Sequence, residues 1–270
     1  MKKTMKFLCM TALVLVGAVM TGCSNDDDSV VDNKKVVTLT TTIGFEDSPA
    51  LTRALDGSGN KTFAEGDKLA LIYKNSSDQT VRVESSPLTL SDINGRSAKF
   101  SFVLENQTSQ NVAYIYPASM ANNDGSVKTT ELASQDGTLT TLSESLDCCV
   151  ARDLSWDGSN LPGATLYNQF AILAITLMDN NGTPADKSDD SDIQTNITNL
   201  VITVDGITYT VKRPSAADAP IYVAINPASS VDVSVSATSS DKTYTTKELS
   251  GKTYAAGHFY NITWRMTPAN

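Results

Sequence analysis

Apolar and polar residues alternate along most of this chain with a period of two, the pattern of strands that bury one face. The clearest run is Val36–Phe45, VVTLTTTIGF, where Val37, Leu39, Ile43 and Phe45 share one face with Thr41 between them. Val36, Thr38, Thr40, Thr42 and Gly44 take the opposite face. The connector that follows, Glu46–Arg53, holds Asp47, Ser48 and Pro49, which resist regular structure, so Arg53 is expected to be open to a protease.

Further strands are predicted at Lys68–Tyr73, Thr80–Glu84, Ala98–Leu104 and Val112–Tyr116. Pro117 stops the last of these because it has no amide to give to a ladder. Another is expected through Leu146–Ala151, and Asp153–Gly163 reads as a linker without periodicity. Phe170–Met178 is nearly all apolar and fits a central strand buried on both faces, with a buried helix as the alternative that periodicity does not separate. Leu200, Ile202 and Val204 alternate up to Asp205-Gly206, a hairpin turn leading into Ile207, Tyr209 and Val211. Val231, Val233, Val235 and Ala237 mark a further strand, and Tyr260, Ile262, Trp264 and Met266 line one face of the closing one. Such spacing, with almost no helical periodicity, predicts an all-β chain of two antiparallel β-sandwiches in series, 36–152 and 164–270, joined by 153–163. No sequence repeat relates the halves.

The residues ahead of the first strand read as addressing. Lys2, Lys3 and Lys6 precede Phe7–Met20, an apolar run of 14 residues, too short for a membrane-spanning helix and suited to a signal peptide over 1–22. Met20-Thr21-Gly22-Cys23 resembles the bacterial lipobox, which implies cleavage before Cys23 and acylation of it. Asp26, Asp27 and Asp28 follow at once, so 23–35 is expected to be a solvated acidic tether that also resembles the export tag of surface lipoproteins in Bacteroidetes-type bacteria.

Charge and candidate chemistry narrow the function further. The chain carries 21 Lys+Arg against 30 Asp+Glu, a net charge of −9, and loses Lys2, Lys3 and Lys6 with the signal peptide. An acidic surface of this kind argues against nucleic-acid partners. Beyond Cys9 and Cys23 the cysteines are the adjacent pair Cys148-Cys149, which a strand would turn to opposite faces. Two thiols are expected there, with a strained vicinal disulfide as the lesser alternative. His258 is the single histidine, so no Cys/His metal cage can form and a surface role is expected. Asp179–Asp192 is densely acidic but lacks calcium-loop spacing, and reads as a solvated hairpin tip. Trp264 falls on the apolar register of its strand, while Trp156 in the linker is open to a core or a sugar-stacking role. No acid/base constellation stands out, so neither an enzyme nor a cofactor is expected.

Together these residues resemble the fimbrillin family, the major and accessory pilins of Bacteroidetes. The resemblance is carried by the lipobox with Cys23, by Thr52-Arg53-Ala54 and by Phe63-Ala64-Glu65-Gly66-Asp67-Lys68. Tyr114-Ile115-Tyr116-Pro117, Asn168-Gln169-Phe170-Ala171-Ile172-Leu173 and Gly257-His258-Phe259-Tyr260 are similar too.

The resemblance implies two tandem transthyretin-like β-sandwich domains after a lipoprotein signal peptide. It implies a lipid anchor in the outer membrane at Cys23 and cleavage at Arg53-Ala54 by an arginine-specific or trypsin-like protease. Removal of Val36–Phe45 would then empty the places of Val37, Leu39, Ile43 and Phe45, and a strand of another fimbrial subunit would fill them. The product would be a surface fimbrium supporting adhesion to host or bacterial surface ligands. Only Thr267-Pro268-Ala269-Asn270 follow the last predicted strand, so that strand itself would have to serve as any C-terminal donor, and tip, accessory and stalk roles stay open. The alternative is an uncleaved surface lipoprotein, a pilus anchor or a glycan-binding module, that keeps its first strand.

Overall fold

A computed structural model of the chain describes residues 36–46, 61–105, 111–213, 220–245 and 248–269; Cys23 and the Arg53-Ala54 step lie outside them. Most of the alternating segments become strands close to the expected places. In chain order they open with β1 (Val36–Phe45), β2 (Ala70–Lys74), β3 (Thr80–Glu84), β4 (Ile93–Asn94), β5 (Ser97–Glu105) and β6 (Asn111–Tyr116). Next come β7 (Ser134–Gln135), β8 (Cys149–Ser155), β9 (Ala164–Asn168), β10 (Ala171–Asp179), β11 (Ser191–Asp192) and β12 (Ile197–Val204). The last are β13 (Ile207–Lys212), β14 (Ile221–Ile225), β15 (Ala228–Ser239), β16 (Thr243–Thr245), β17 (Leu249–Tyr254) and β18 (Phe259–Pro268).

They form two sheets. The first runs β3-β2-β6-β8-β9-β1-β5-β4. The second runs β11-β10-β18-β16-β15-β12-β13-β7, with β14 added on β10 and β17 on β15. Most neighbours are antiparallel, but β1–β9, β10–β18 and β7–β13 run parallel. The turn between β12 and β13 is the two-residue one expected, with Asp205 and Gly206 both at positive φ and Val204 registered on Ile207. The apolar run after Phe170 is strand, not helix: β10 is buried on both faces between β14 and β18.

Strands β2, β6 and β8 form a wall between two cores, and alternation along each assigns neighbours to opposite sides. Leu71, Tyr73, Tyr114, Tyr116, Cys149 and Ala151 face the first core with Ile43, Phe45, Phe100 and Phe102. Ala70, Ile72, Ile115, Cys148 and Val150 face the second, with most of the apolar residues beyond Phe170. Cys148 and Cys149 are thus buried thiols on opposite faces, not joined in a disulfide.

The segment between β6 and β8 adds Met120, Leu132, Leu142 and Leu146 to the second core, and β7 within it pairs with β13. Gly137 permits that approach, since a Cβ on it would lie 2.7 Å from Val211 Cγ1 and its φ is +74°. The apolar run at Leu146 starts as a helical turn, Leu142–Leu146, so β8 begins only at Cys149. Asp153–Ser155, read above as linker, continue β8, and Ala164–Asn168 supply a strand of the first sheet.

Candidate functional site

The first strand and its seat form the candidate site. Along one edge β1 is paired with β5 from Val36↔Glu105 to Gly44↔Ser97. Along the other, among the described residues, it meets only β9, through Ile43, Gly44 and Phe45. The seat deepens toward the end of the strand: Val37 and Leu39 are half-buried, whereas Thr41, Ile43 and Phe45 are buried. Thr38, Thr40 and Thr42 face solvent, as the alternation requires. Complete burial of Ile43 and Phe45 contributes about 1.5–3 kcal/mol each.

Thr41 is the polar residue on the apolar face, and it is satisfied there. Its hydroxyl donates to the Pro162 carbonyl at 2.7 Å, an oxygen that also accepts from the Tyr114 hydroxyl at 2.9 Å. Burial pushes the Tyr114 hydroxyl up to about 12, so it stays a donor at neutral pH. The residues just before β9 therefore clasp the middle of β1 by a side-chain bond, where a regular ladder is absent.

The deep end is aromatic. The Phe45 ring stacks on Phe63 with centroids 4.3 Å apart and meets Tyr116 edge-on at 5.5 Å. Lys61 Nζ lies 5.3 Å from the Phe45 centroid and 4.7 Å from that of Tyr116. This lysine is 1% exposed, an arrangement that its partners make tolerable. Its ammonium donates to Asp147 Oδ2 at 2.8 Å and to the Asp147 carbonyl at 2.6 Å. Asn168 Nδ2 donates to the other carboxylate oxygen. Burial works against the charge on Lys61, but the Asp147 carboxylate, with smaller help from Cys149, leaves its pKa above the ordinary lysine value.

The remaining candidates are dispersed. His258 is exposed, with Nδ1 3.1 Å from the Ala256 carbonyl and its ring against Tyr260. Burial pushes the Cys148 thiol far above the usual range, so no thiolate nucleophile is available there. Trp156 is buried in the first core, edge-on to Tyr73, and so offers no exposed platform for a sugar; Trp264 is buried as its register predicts.

The acidic stretch after β10 is more ordered than a loose tip. Arg265 holds it through both Asp190 oxygens at 2.6 Å, the Pro184 carbonyl at 2.7 Å and the Asp186 carbonyl. Among the described residues no group of three or more His, Cys, Asp or Glu could hold a metal ion. Sequence reasoning missed Lys61 altogether; the local signal was its place two residues before Phe63.

No family model matches the chain, and no curated protein matches it. Solved structures do. A candidate cell adhesion protein of Bacteroides ovatus is 13% identical with a TM-score of 0.44, over 88% of this chain and 96% of that one. A fimbrial assembly protein of Parabacteroides distasonis is 12% identical with a TM-score of 0.43, over 86% and 92%. The C-terminally truncated tip fimbrial protein of Porphyromonas gingivalis is 8% identical with a TM-score of 0.31, over 80% and 81%.

Proposed function

We propose that this protein is a structural subunit of surface fimbriae. It is exported as a lipoprotein acylated at Cys23, matured by an arginine-specific or trypsin-like protease between Arg53 and Ala54, and assembled with other subunits by strand exchange at the place of β1. The observation that carries this reading is how β1 is held. It is seated by side chains on one face and by one long ladder with β5, and its continuation to the rest of the chain runs through the segment that contains Arg53. Without β1, Phe100, Phe102 and Phe63 lose their cover and the β5 edge loses its backbone partners, a surface that an extended segment of another subunit can complete.

Arg53→Ala tests it. The variant should fold and reach the membrane fraction but remain uncleaved and unassembled, with Cys23 as its first residue. Fibres of normal length from that variant would overturn the proposal. Cys23→Ala should leave the membrane fraction or retain its signal peptide, and unchanged acyl labelling would refute the anchor.

A further inference from the structure

We propose that the seat of Phe45 is a selectivity slot: any strand that takes the place of β1 must present an aromatic side chain there, two residues after an aliphatic one. This inference rests on the strand-exchange reading. It follows from what surrounds Phe45 and from what would stay when β1 leaves.

The walls of the slot come from the retained chain and are braced independently of Phe45. Phe63 meets Phe100 edge-on at 5.2 Å and Tyr116 edge-on at 5.3 Å. The Tyr116 hydroxyl is tied to Asp67 Oδ2 at 2.7 Å. Lys61 is tied to Asp147 rather than to β1. An emptied slot therefore presents one ring face, one ring positioned for edge contact and an ammonium. A leucine can fill that volume, but it offers no π face to the cation and no quadrupole to the Phe63 and Tyr116 rings.

The position two residues earlier is of another kind. Ile43 is fully buried opposite Ala98, among apolar neighbours of the same core. Between the two, Gly44 has no requirement for glycine. Its φ is not positive, and a Cβ there would meet the Arg96 carbonyl oxygen at 3.8 Å and Ser97 Cβ at 3.9 Å, which are ordinary contacts. The seat thus reads a pattern of aliphatic, unrestricted, aromatic at its deep end, while Val37 and Leu39 at the shallow end are half-buried and discriminate less.

The test uses the full chain cleaved by trypsin and freed of its first strand in mild denaturant, then returned to buffer. Fluorescent peptides with the sequence of Val36–Phe45, unchanged or with Phe45→Tyr or Phe45→Leu, are titrated against it. The unchanged and tyrosine peptides should bind within about threefold of each other, and the leucine peptide at least about tenfold more weakly. Leucine binding within threefold of phenylalanine would overturn the slot while leaving strand exchange standing. Failure of the unchanged peptide to bind would overturn both. Lys61→Met should erase part of the preference for phenylalanine over leucine, and Lys61→Arg should restore it. Equal weakening of all peptides by Lys61→Met would show a merely structural lysine and overturn its part in the slot.

Discussion

Phe45, the last residue of β1, stacks on Phe63 at 4.3 Å, although the segment containing Arg53 lies between them in the chain. The two ends of that segment therefore meet at one aromatic contact. A cut at Arg53 would divide the chain at a place where the strand on one side and Lys61-Thr62-Phe63 on the other each keep their own partners. What remains of the contact after the cut is non-covalent, and its strength decides whether the strand stays.

That strength can be read by substitution along β1. Ile43→Asp places a charge at a fully buried position and should destabilise the uncleaved protein by roughly 3–4 kcal/mol. Leu39→Asp should cost less, because Leu39 is half-buried, and Thr40→Asp or Thr42→Asp should stay within about 0.5 kcal/mol. Urea melts of each variant, before cleavage and after removal of the strand, check this. If Ile43→Asp weakens both forms equally, the strand stays with its own chain.

Lys61 and Asp147 form a fully buried ion pair, so removing one partner strands the other. Lys61→Met should cost about 3–5 kcal/mol at neutral pH. The pKa of Lys61 is raised in the fold, so its contribution is complete below the unfolded value of 10.5 and is lost as pH rises through the higher folded value. The stability gap between wild type and Lys61→Met should accordingly be constant near neutrality and close only above pH 10.5. A gap that closes near pH 7 would exclude a charged Lys61.

Gln135 ties the segment after β6 to the second sheet. Its amide nitrogen donates to the Leu132 carbonyl at 2.8 Å and the Ala224 carbonyl at 2.7 Å, and its oxygen accepts from the Ala224 amide at 2.9 Å. Gln135→Leu keeps the volume but leaves those buried groups unpaired, at about 1–3 kcal/mol. Chemical denaturation measures the loss, and amide exchange should rise first at Ala224. A neutral result would mean that water replaces the side chain.

Arg265 is the clasp of the 180–190 stretch. Arg265→Ala should speed amide exchange at Asn181, Thr183 and Asp186 and make the stretch a new proteolytic site, with little change in the two cores. Unchanged exchange there would assign the order of the loop to its own turns.

Local pattern was enough for much of this molecule. Period two along Val36–Phe45 predicts which side chains are buried, because a strand offers only two faces and water claims one of them. The same logic locates β3 and β5, and Asp205-Gly206 specifies its turn through backbone conformations that few other residues adopt. Cys148 and Cys149 still face opposite cores, although β8 begins only at Cys149.

Tertiary structure decided what no window of residues contains. Nothing beside Lys61 in the chain marks it as a core residue, yet it is buried because Asp147, 86 positions away, accepts its hydrogen bonds and is itself held by Asn168. Thr41 interrupts an apolar face, and the Pro162 carbonyl, 121 positions on, makes that acceptable. Local pattern leaves Trp156 between core and surface; it is buried directly after β8, which extends to Ser155 into the expected linker. The wall shared by both cores has the same origin: β2, β6 and β8 are apolar on both faces, and which core each face meets depends on what packs there. Alternation is a property of the backbone and is written locally; the pairing of distant polar groups is a property of the closed fold.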